Sequence, residues 1–473
     1  MIGRKREQNI LEDCLNSKRA EFLVVYGRRR IGKTYLIKKY FNENFSFYAT
    51  GLSDAKMNEQ LKIFNASLLE YGSKDKKIPK DWYEAFGRLK NLLVNGDVNK
   101  DLVTGKKVVF LDELPWMDTA RSDFKSALEY FWNSWGSTQD DLLLIVCGSA
   151  TSWIIDNLLG DRGGFYNRIT RHIHLMPFSL AECEELYQMN GMVMSREQVV
   201  ESYMIFGGVP YYLNCLDRRL SLAQNVEALL FNPNGQLYSE YERLLKSLFK
   251  KYEKHTAILD ELANKKSGIL RTELAAKKLI GDGAPLTKAL SELEQSGFIR
   301  KYQNYNKEKS GYYYQLIDPF LLFCYRFVKN RQHESWMNYI NTPGYYAWEG
   351  HAFELVSLLH TNQIKQSLGI FGVETSIYAW RSKTSIPGAQ IDLVIDRKDG
   401  VINICEMKYS INPYEISAEY ENELKNKVSV FVNETGCRKA VHLTMISMHG
   451  VVNNEHRNIV TQIIAGDDLF ISI

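Results

Sequence analysis

Residues Gly27-Arg28-Arg29-Arg30-Ile31-Gly32-Lys33-Thr34 follow the unbroken apolar run Phe22-Leu23-Val24-Val25-Tyr26 and precede the helical pattern Tyr35-Leu36-Ile37-Lys38-Lys39-Tyr40. G-x-x-x-x-G-K-[ST] between a buried strand and a helix is the pattern of a phosphate-binding loop. Gly27 and Gly32 let the backbone turn tightly, so that several N–H groups converge on one anion. Lys33 would reach the β- and γ-phosphates and the Thr34 hydroxyl would hold Mg²⁺. The helix beginning near Gly32 would add its positive N-terminal dipole. The competing interpretation, a glycine turn beside a surface basic cluster, leaves the flanking strand and helix unexplained.

A parallel-sheet nucleotide site needs a second acidic strand end. Lys106-Lys107-Val108-Val109-Phe110-Leu111-Asp112-Glu113 supplies one, with four apolar residues in a row that suit a strand buried on both faces. Asp112 would contact Mg²⁺, directly or through water, and Glu113 is the candidate general base for the attacking water. A third strand, Leu142-Leu143-Leu144-Ile145-Val146-Cys147, runs into Gly148-Ser149-Ala150-Thr151. Ligands bind beyond the carboxyl ends of such strands, so Ser149 could sense the γ-phosphate or orient water. A helix N-cap at Ser149 or Thr151 is an equal alternative, and the two roles can coexist.

At 473 residues the chain exceeds one compact core, and two to four domains are expected. A net charge of +3 is too mild to argue nucleic-acid binding by the whole chain, so any such surface must be local. The seven cysteines are odd in number and form no C-x-x-C pair, which suits reduced cytosolic thiols, with no disulfide frame or zinc knuckle. The opening residues carry charge at once and show no signal-peptide h-region. The longest pure apolar run, near Leu142–Cys147, is too short to span a bilayer. The expectation is a cytoplasmic multidomain protein with no membrane role.

The first half of the chain resembles the AAA+-related ATPases of archaeal and bacterial type, near the signal-transducing STAND group. The resemblance rests on Ile2-Gly3-Arg4 with Glu7, the triple-arginine loop, Leu111-Asp112-Glu113, Cys147-Gly148-Ser149 and Phe206-Gly207-Gly208-Val209-Pro210-Tyr211-Tyr212-Leu213. It implies ATP or ADP and Mg²⁺ as ligands. It implies that Gly3 and Arg4 lie near the adenine pocket and that Pro210 belongs to a helical lid. The core would then span residues 1–176 and the lid residues 177–240, where Ser179-Leu180-Ala181-Glu182 reads as a cap and a helix start. An arginine finger would fall between the third strand and Arg171-His172-Ile173-His174-Leu175, with Arg162 and Arg168 as candidates. A finger acting in trans would require a homo-oligomer. Arg28, Arg29 and Arg30 exceed what a phosphate loop needs and are expected to meet another surface, such as the lid. His172 and His174 alternate along a strand and read as structural.

From Tyr252 onward the pattern turns helical. Ile258, Leu259 and Leu262 mark one helix, Leu270–Ala275 opens a second, and Pro285–Glu294 forms a third, closed by Gly297. Phe298–Tyr302 and Tyr312–Ile317 read as two strands around a polar wing, 304–310. Three helices followed by a strand pair give a winged helix-turn-helix over residues 241–330. Its third helix offers Thr287, Lys288 and Ser291 to DNA, but Glu292 and Glu294 would face phosphate badly. An interdomain or protein-contacting module is the alternative.

Near the end, Gly388-Ala389-Gln390-Ile391-Asp392-Leu393-Val394-Ile395 and Val401-Ile402-Asn403-Ile404-Cys405-Glu406-Met407-Lys408 form a hairpin, with Asp392 fourteen positions before Glu406. Glu406 and Lys408 are two apart and share a face. Two carboxylates suit a hard divalent cation and the lysine can balance phosphate charge, as in metal-assisted phosphodiester hydrolysis. This pattern looks like the PD-(D/E)xK nuclease superfamily, with Gln390-Ile391 before Asp392 where proline is often found. The resemblance implies a further acid from an upstream helix, Glu354 first and Glu349 second, in a domain at residues 331–473.

The whole reads as an α/β protein: a P-loop NTPase sheet with a helical lid, a winged helix and an α/β nuclease-like, restriction-endonuclease-like domain. One functional reading is an ATPase whose nucleotide state gates nucleic acid at Asp392, Glu406 and Lys408. The other is an ATP-dependent switch whose last two modules bind DNA or a protein partner without cleavage.

Overall fold

Alternate residues of the long apolar runs enter two different cores. Phe22, Val24, Val109, Leu111, Leu142, Leu144 and Val146 face one side of a sheet, whereas Leu23, Val25, Val108, Phe110, Leu143, Ile145 and Cys147 face the other. Burial on both faces is what a continuous apolar strand encodes. The computed structural model describes residues 2–160, 164–165, 167–249, 251–306, 311–329, 335–382 and 388–473. The chain divides into two units, Met1–Met176 and Pro177–Ile473.

The first unit holds a parallel five-stranded sheet of β1 (Glu21–Tyr26), β2 (Phe47–Thr50), β3 (Lys107–Asp112), β4 (Leu142–Gly148) and β5 (Arg171–His174), ordered β2-β3-β4-β1-β5. Helices Lys5–Asn16 and Lys33–Tyr40 cover one face through Leu11, Cys14, Leu36 and Ile37. Helices Met57–Glu70, Trp82–Asn95 and Phe124–Ser134 cover the other, with Phe64, Trp82, Phe86 and Phe124 in edge contacts. Strands β1 and β4 are neighbours, and β4 separates β1 from β3. The loop after β1, the acidic end of β3 and the serine after β4 therefore open on one edge of the sheet.

The second unit begins with helices. Ser179 caps helix Leu180–Met189: its hydroxyl accepts from Glu182 N at 3.3 Å while the Glu182 carboxylate accepts from Ser179 N at 2.9 Å. Helices Arg196–Phe206 and Pro210–Leu213 follow, the latter opened by Pro210. Next come helices Glu253–Ala263, Arg271–Ala275 and Ala284–Gln295 with the antiparallel strands β6 (Ile269–Leu270), β7 (Ile299–Tyr302) and β8 (Tyr313–Leu316), ordered β6-β8-β7. Residues 307–310 of the expected wing lie outside the described residues. Helix Pro343–Leu359 then leads into β9 (Thr375–Arg381), β10 (Gln390–Arg397), β11 (Val401–Lys408), helix Ala418–Thr435, β12 (Ala440–Ser447) and β13 (Gln462–Ala465). This sheet runs β13-β12-β11-β10-β9, antiparallel at its β9 end and parallel from β11 to β13. The middle segment is tied to it by backbone: Tyr305 N donates to Ala379 O at 2.9 Å, and the Tyr305 ring lies 5.2 Å from that of Phe431.

The strands β2, β6, β9, β12 and β13 were not anticipated. Strand β2 is only four residues long and alternates, with Phe47 and Ala49 buried and Thr50 exposed, so it lacks the unbroken buried run that marks its neighbours. Strand β6 has two residues and exists only through its pairing with β8.

Candidate functional sites

The loop after β1 is held in a conformation that its glycines make available. Gly27 has φ 144°, and a Cβ there would stand 2.3 Å from Leu175 O. Arg30 and Gly32 take φ 71° and 89°. Lys33 begins the following helix and is buried. Its ammonium donates to Gly27 O and Arg28 O, each at 2.9 Å, bracing the loop from within. Burial pulls the Lys33 ammonium below its ordinary range, against the nearby Cys147, Glu113 and Asp112.

Thr34 and Asp112 come together: Thr34 Oγ1 donates to Asp112 Oδ2 at 2.8 Å. The other oxygen of Asp112 accepts from Cys147 Sγ at 2.8 Å and from Glu113 N at 2.9 Å. Cys147 is fully buried, and burial followed by the Asp112 charge drives its thiol well above the ordinary range. It is therefore a donor that fixes the Asp112 rotamer. Glu113 takes φ 46°, an unfavourable region for a non-glycine residue. Its carboxylate accepts from the Ser149 hydroxyl at 2.8 and 3.0 Å and from Ser149 N at 3.2 Å. Ser149 is not a helix cap. The short helix Thr151–Ile154 has Ala150 at its N-cap with no side-chain cap bond, because the serine hydroxyl is committed to Glu113.

The opening segment reaches the same loop. Arg4 is buried, and its Nη2 lies 3.5 Å from Ile31 O. Gln8 Nε2 donates to Gly3 O at 2.7 Å. Of the three loop arginines Arg28 is 3% exposed and Arg29 and Arg30 are half-buried, so they do not form a surface basic cluster. Arg162 lies outside the described residues, and Arg168 is exposed. His172 and His174 lie beside Tyr26, the latter stacked at 4.7 Å.

In the second unit Pro210 sits at the start of its helix, behind the pair Gly207 and Gly208 at φ 68° and 66°. On helix Ala284–Gln295, Glu292 turns inward: its Oε2 meets His255 Nε2 at 2.8 Å. That removes one of the two acids expected to oppose phosphate, and leaves Thr287 and Lys288 exposed with Ser291 half-buried.

The C-terminal residues occupy neighbouring strands, Asp392 on β10, Glu406 and Lys408 on β11. Burial raises the Asp392 carboxyl above its usual range, reinforced by the Glu354 charge and more weakly by Glu406. Glu354, on helix Pro343–Leu359, is thus within electrostatic reach of Asp392. Glu349 is not the alternative: it belongs to a different cluster with Tyr345 and Glu201, because five positions along a helix turn a side chain well away from its neighbour's face. Burial alone would raise Glu406, but Lys427 and Lys408 outweigh it and hold the carboxyl low. Lys427 Nζ lies 2.8 Å from Glu406 Oε2, Tyr420 OH donates to Glu406 Oε1 at 2.7 Å, and Lys408 Nζ stands 3.5 Å from Oε1. Among the described residues no three His, Cys, Asp or Glu side chains are gathered to hold a metal ion. Glu354 and Glu406 are engaged with lysines, whereas Asp392 accepts from Gln390 Nε2 at 2.6 Å. Lys427 and Tyr420 were missed in the sequence. Their only signal was a charged and aromatic helix after β11, which is equally the signature of a solvated face.

Residues 1–216 match the family of ATPase domains described as predominantly from Archaea. An uncharacterized protein of Methanocaldococcus jannaschii is 26% identical over 333 residues, 69% of this chain and 68% of that protein. An uncharacterized ATP-binding protein of the same organism is 49% identical over 39 residues, 8% of this chain and 66% of that protein. Among solved structures, a Walker-type ATPase of Pyrococcus abyssi is similar with a TM-score of 0.49 at 19% identity, over 69% of this chain and 96% of that one. The family match spans the phosphate loop, β3 and β4 and supports ATP binding and hydrolysis by this part of the chain. No helix among the described residues is long and apolar enough to cross a membrane.

Proposed function

We propose that residues 1–176 form a Mg²⁺-dependent ATPase core whose nucleotide state is communicated through a lid, residues 177–240, to a winged helix, 241–330, and a nuclease-like module, 331–473. The observation that carries the ATPase reading is the paired arrangement of Thr34 on Asp112 and Ser149 on Glu113 at the carboxyl ends of β1, β3 and β4. Thr34 and Asp112 present adjacent hard oxygen donors, which fits Mg²⁺, and they would hold it there to neutralise charge on the phosphates. Backbone N–H groups from Gly27 to Thr34 bind the phosphate oxygens. Lys33, already at the loop, exchanges its carbonyl contacts for phosphate oxygens. Glu113 accepts a proton from the attacking water, and Ser149 fixes its carboxylate. Gly3 and Arg4 border the adenine side and Pro210 belongs to the lid. ATP turnover by the full chain, compared with Lys33→Ala and Glu113→Gln, tests this; turnover equal in all three would end the reading.

For the C-terminal module the reading is nucleic-acid recognition at Asp392, Glu406 and Lys408, gated by ATP. Incubation with plasmid and linear DNA, with Mg²⁺ or Mn²⁺ and with or without ATP, tests cleavage; equal background cleavage by wild type and Asp392→Ala would remove it. Recognition of DNA or a protein without cleavage is the second reading. It is favoured by the lysine engagement of Glu406 and Glu354, which leaves both acids neutralised by the chain itself.

A further inference from the structure

Glu113 is restrained at its carboxylate by Ser149, at the end of β4. Its backbone, at φ 46°, needs a restraint of its own, because a non-glycine residue stays in that region only where its surroundings over-determine it. Part of that restraint is local: Trp116 N donates to Glu113 O at 3.0 Å and closes a turn. The rest comes from helix Met57–Glu70.

That helix turns Leu61, Phe64 and Leu68 into the core. Gln60 lies on the same side and is 2% exposed. A buried amide is costly unless its hydrogen bonds are made, and here both ends are used. Gln60 Oε1 accepts from Leu52 N at 3.0 Å, while Nε2 donates to Leu52 O at 2.6 Å and to Trp116 O at 2.9 Å. One side chain therefore joins the loop after β2 to the turn that follows Glu113. The job calls for an amide. A carboxylate would set an oxygen against two carbonyls, and an aliphatic chain offers neither donor nor acceptor.

The loop after β2 is itself set against Glu113. Gly51 N donates to Asp112 O at 2.9 Å, just beyond the register pair of Thr50 and Asp112. A Cβ on Gly51 would stand 2.6 Å from Glu113 O and 3.1 Å from Trp116 Cβ. On the β4 side, a Cβ on Gly148 would stand 2.5 Å from Pro115 Cδ. The turn from Glu113 to Trp116 is thus wedged between the ends of β2 and β4, and Gln60 ties its last carbonyl to the β2 side.

We infer that Gln60 is a positioning residue for ATP hydrolysis: by joining Leu52 to Trp116 O it fixes the backbone from which the Glu113 carboxylate meets the attacking water. The inference rests on the reading of Glu113 as the base. Gln60 acts through Glu113, so its loss lowers turnover and leaves ATP affinity alone.

The test is a double-mutant cycle on the full chain. Wild type, Gln60→Met, Glu113→Gln and the double variant are compared for single-turnover ATP hydrolysis with Mg²⁺ and for equilibrium binding of a fluorescent ATP analogue. Gln60→Met is expected to hydrolyse ATP about tenfold more slowly, with the analogue Kd within about twofold of wild type, as a displaced catalytic group requires. In the Glu113→Gln background the same substitution is expected to cost nothing further, because the base that it positions is gone. Gln60→Glu keeps the shape and the acceptor for Leu52 N but loses the paired donors. It is expected to copy Gln60→Met, and it carries the test if circular dichroism shows Gln60→Met unfolded. Wild-type turnover in the folded Gln60 variant, an equal fractional loss in both backgrounds, or weakened analogue binding that accounts for the lost turnover would overturn the role of Gln60 and leave Glu113 as the base. Wild-type turnover in Glu113→Gln would overturn both.

Discussion

The Ser149 hydroxyl stands 2.8 Å from Glu113 Oε2 and 3.0 Å from Oε1, and the Ser149 backbone N–H reaches the same carboxylate at 3.2 Å. Two donors from the end of β4, one hydroxyl shared between both oxygens and one backbone N–H, thus determine where the candidate base after β3 points. The strained backbone of Glu113, at φ 46°, is held by this clamp and by the pairing of its strand. Glu113→Gln keeps the shape and removes the basicity, so ATP turnover should fall by roughly 10²- to 10³-fold while ATP still binds. Ser149→Ala keeps the base and loosens it, and kcat should fall by about tenfold with KM nearly unchanged. Steady-state phosphate release and equilibrium binding of a fluorescent ATP analogue separate the two. Wild-type kcat in Ser149→Ala would show that the clamp is structural only.

Lys33 and Thr34 have separate roles in the proposed phosphate site. Lys33 braces the loop through Gly27 O and Arg28 O, so Lys33→Ala should both loosen the loop and remove the phosphate contact. Wild type at an ATP concentration about 100 times its Kd gains roughly 3 kcal/mol of stability through binding. Thermal denaturation should therefore show a Tm rise with ATP and Mg²⁺ in wild type and none in Lys33→Ala. Thr34→Ala breaks the 2.8 Å bond to Asp112, and should retain an ATP-induced rise that no longer depends on Mg²⁺. A Mg²⁺-dependent rise in Thr34→Ala would remove Thr34 from the metal-holding set.

The parts of the candidate nucleotide site could be read because each is local: a loop flanked by its own strand and helix, and acids placed at strand ends by runs of apolar residues. What links those parts was not. Whether Ser149 caps a helix or holds Glu113 depends on β3 and β4 being neighbours, and nothing in either string states it. The same limit hid the engagement of the C-terminal acids. Lys427 lies twenty-one residues from Glu406 and Lys266 eighty-eight from Glu354, separations at which only the folded sheet brings charges together. Glu292 illustrates the reverse error. Read along a helix it faces outward, but His255 on a neighbouring helix draws it in. Strand β2 escaped notice because an edge strand of four residues needs few apolar positions.

His360 joins the start of the second unit's first helix to helix Pro343–Leu359. Its Nε2 accepts from Leu180 N at 3.1 Å and its Nδ1 lies 2.8 Å from Val356 O, so the proton sits on Nδ1. Burial lowers its pKa from 6.5 to about 4. The folded state thus disfavours the charged ring. The stability it protects is complete above about pH 6.5 and is lost as pH falls toward 4, by up to roughly 3 kcal/mol. Urea unfolding of wild type and His360→Gln from pH 7.5 to 4.5 should show wild type losing stability faster with acid. Parallel pH profiles would show that the ring takes up its proton equally in the folded and unfolded states.

Glu349 and Glu201 behave in the opposite sense. Tyr345 OH donates to Glu201 Oε1 at 3.1 Å, and Glu349 lies against the same phenol, 9% exposed. Burial first, then the charges of Glu201 and Glu197, raise Glu349 from 4.5 to about 7, against the lowering effect of its Tyr345 contact. Burial raises Glu201 as well, so the two acids titrate as a pair. A carboxyl with a raised folded-state pKa favours folding while it is protonated. That advantage is full below about pH 4.5 and disappears as pH rises through 7, leaving the ionised pair to weaken the contact between helices Arg196–Phe206 and Pro343–Leu359. Glu349→Gln, which cannot ionise, should therefore be more stable than wild type at pH 8 by up to roughly 3 kcal/mol, and equal to it near pH 4.5. Denaturant midpoints measured at both pH values check this. A Glu349→Gln variant that is less stable than wild type at pH 8 would mean that the carboxylate is ionised and satisfied in the fold, and would move the titration of this joint to Glu201 alone.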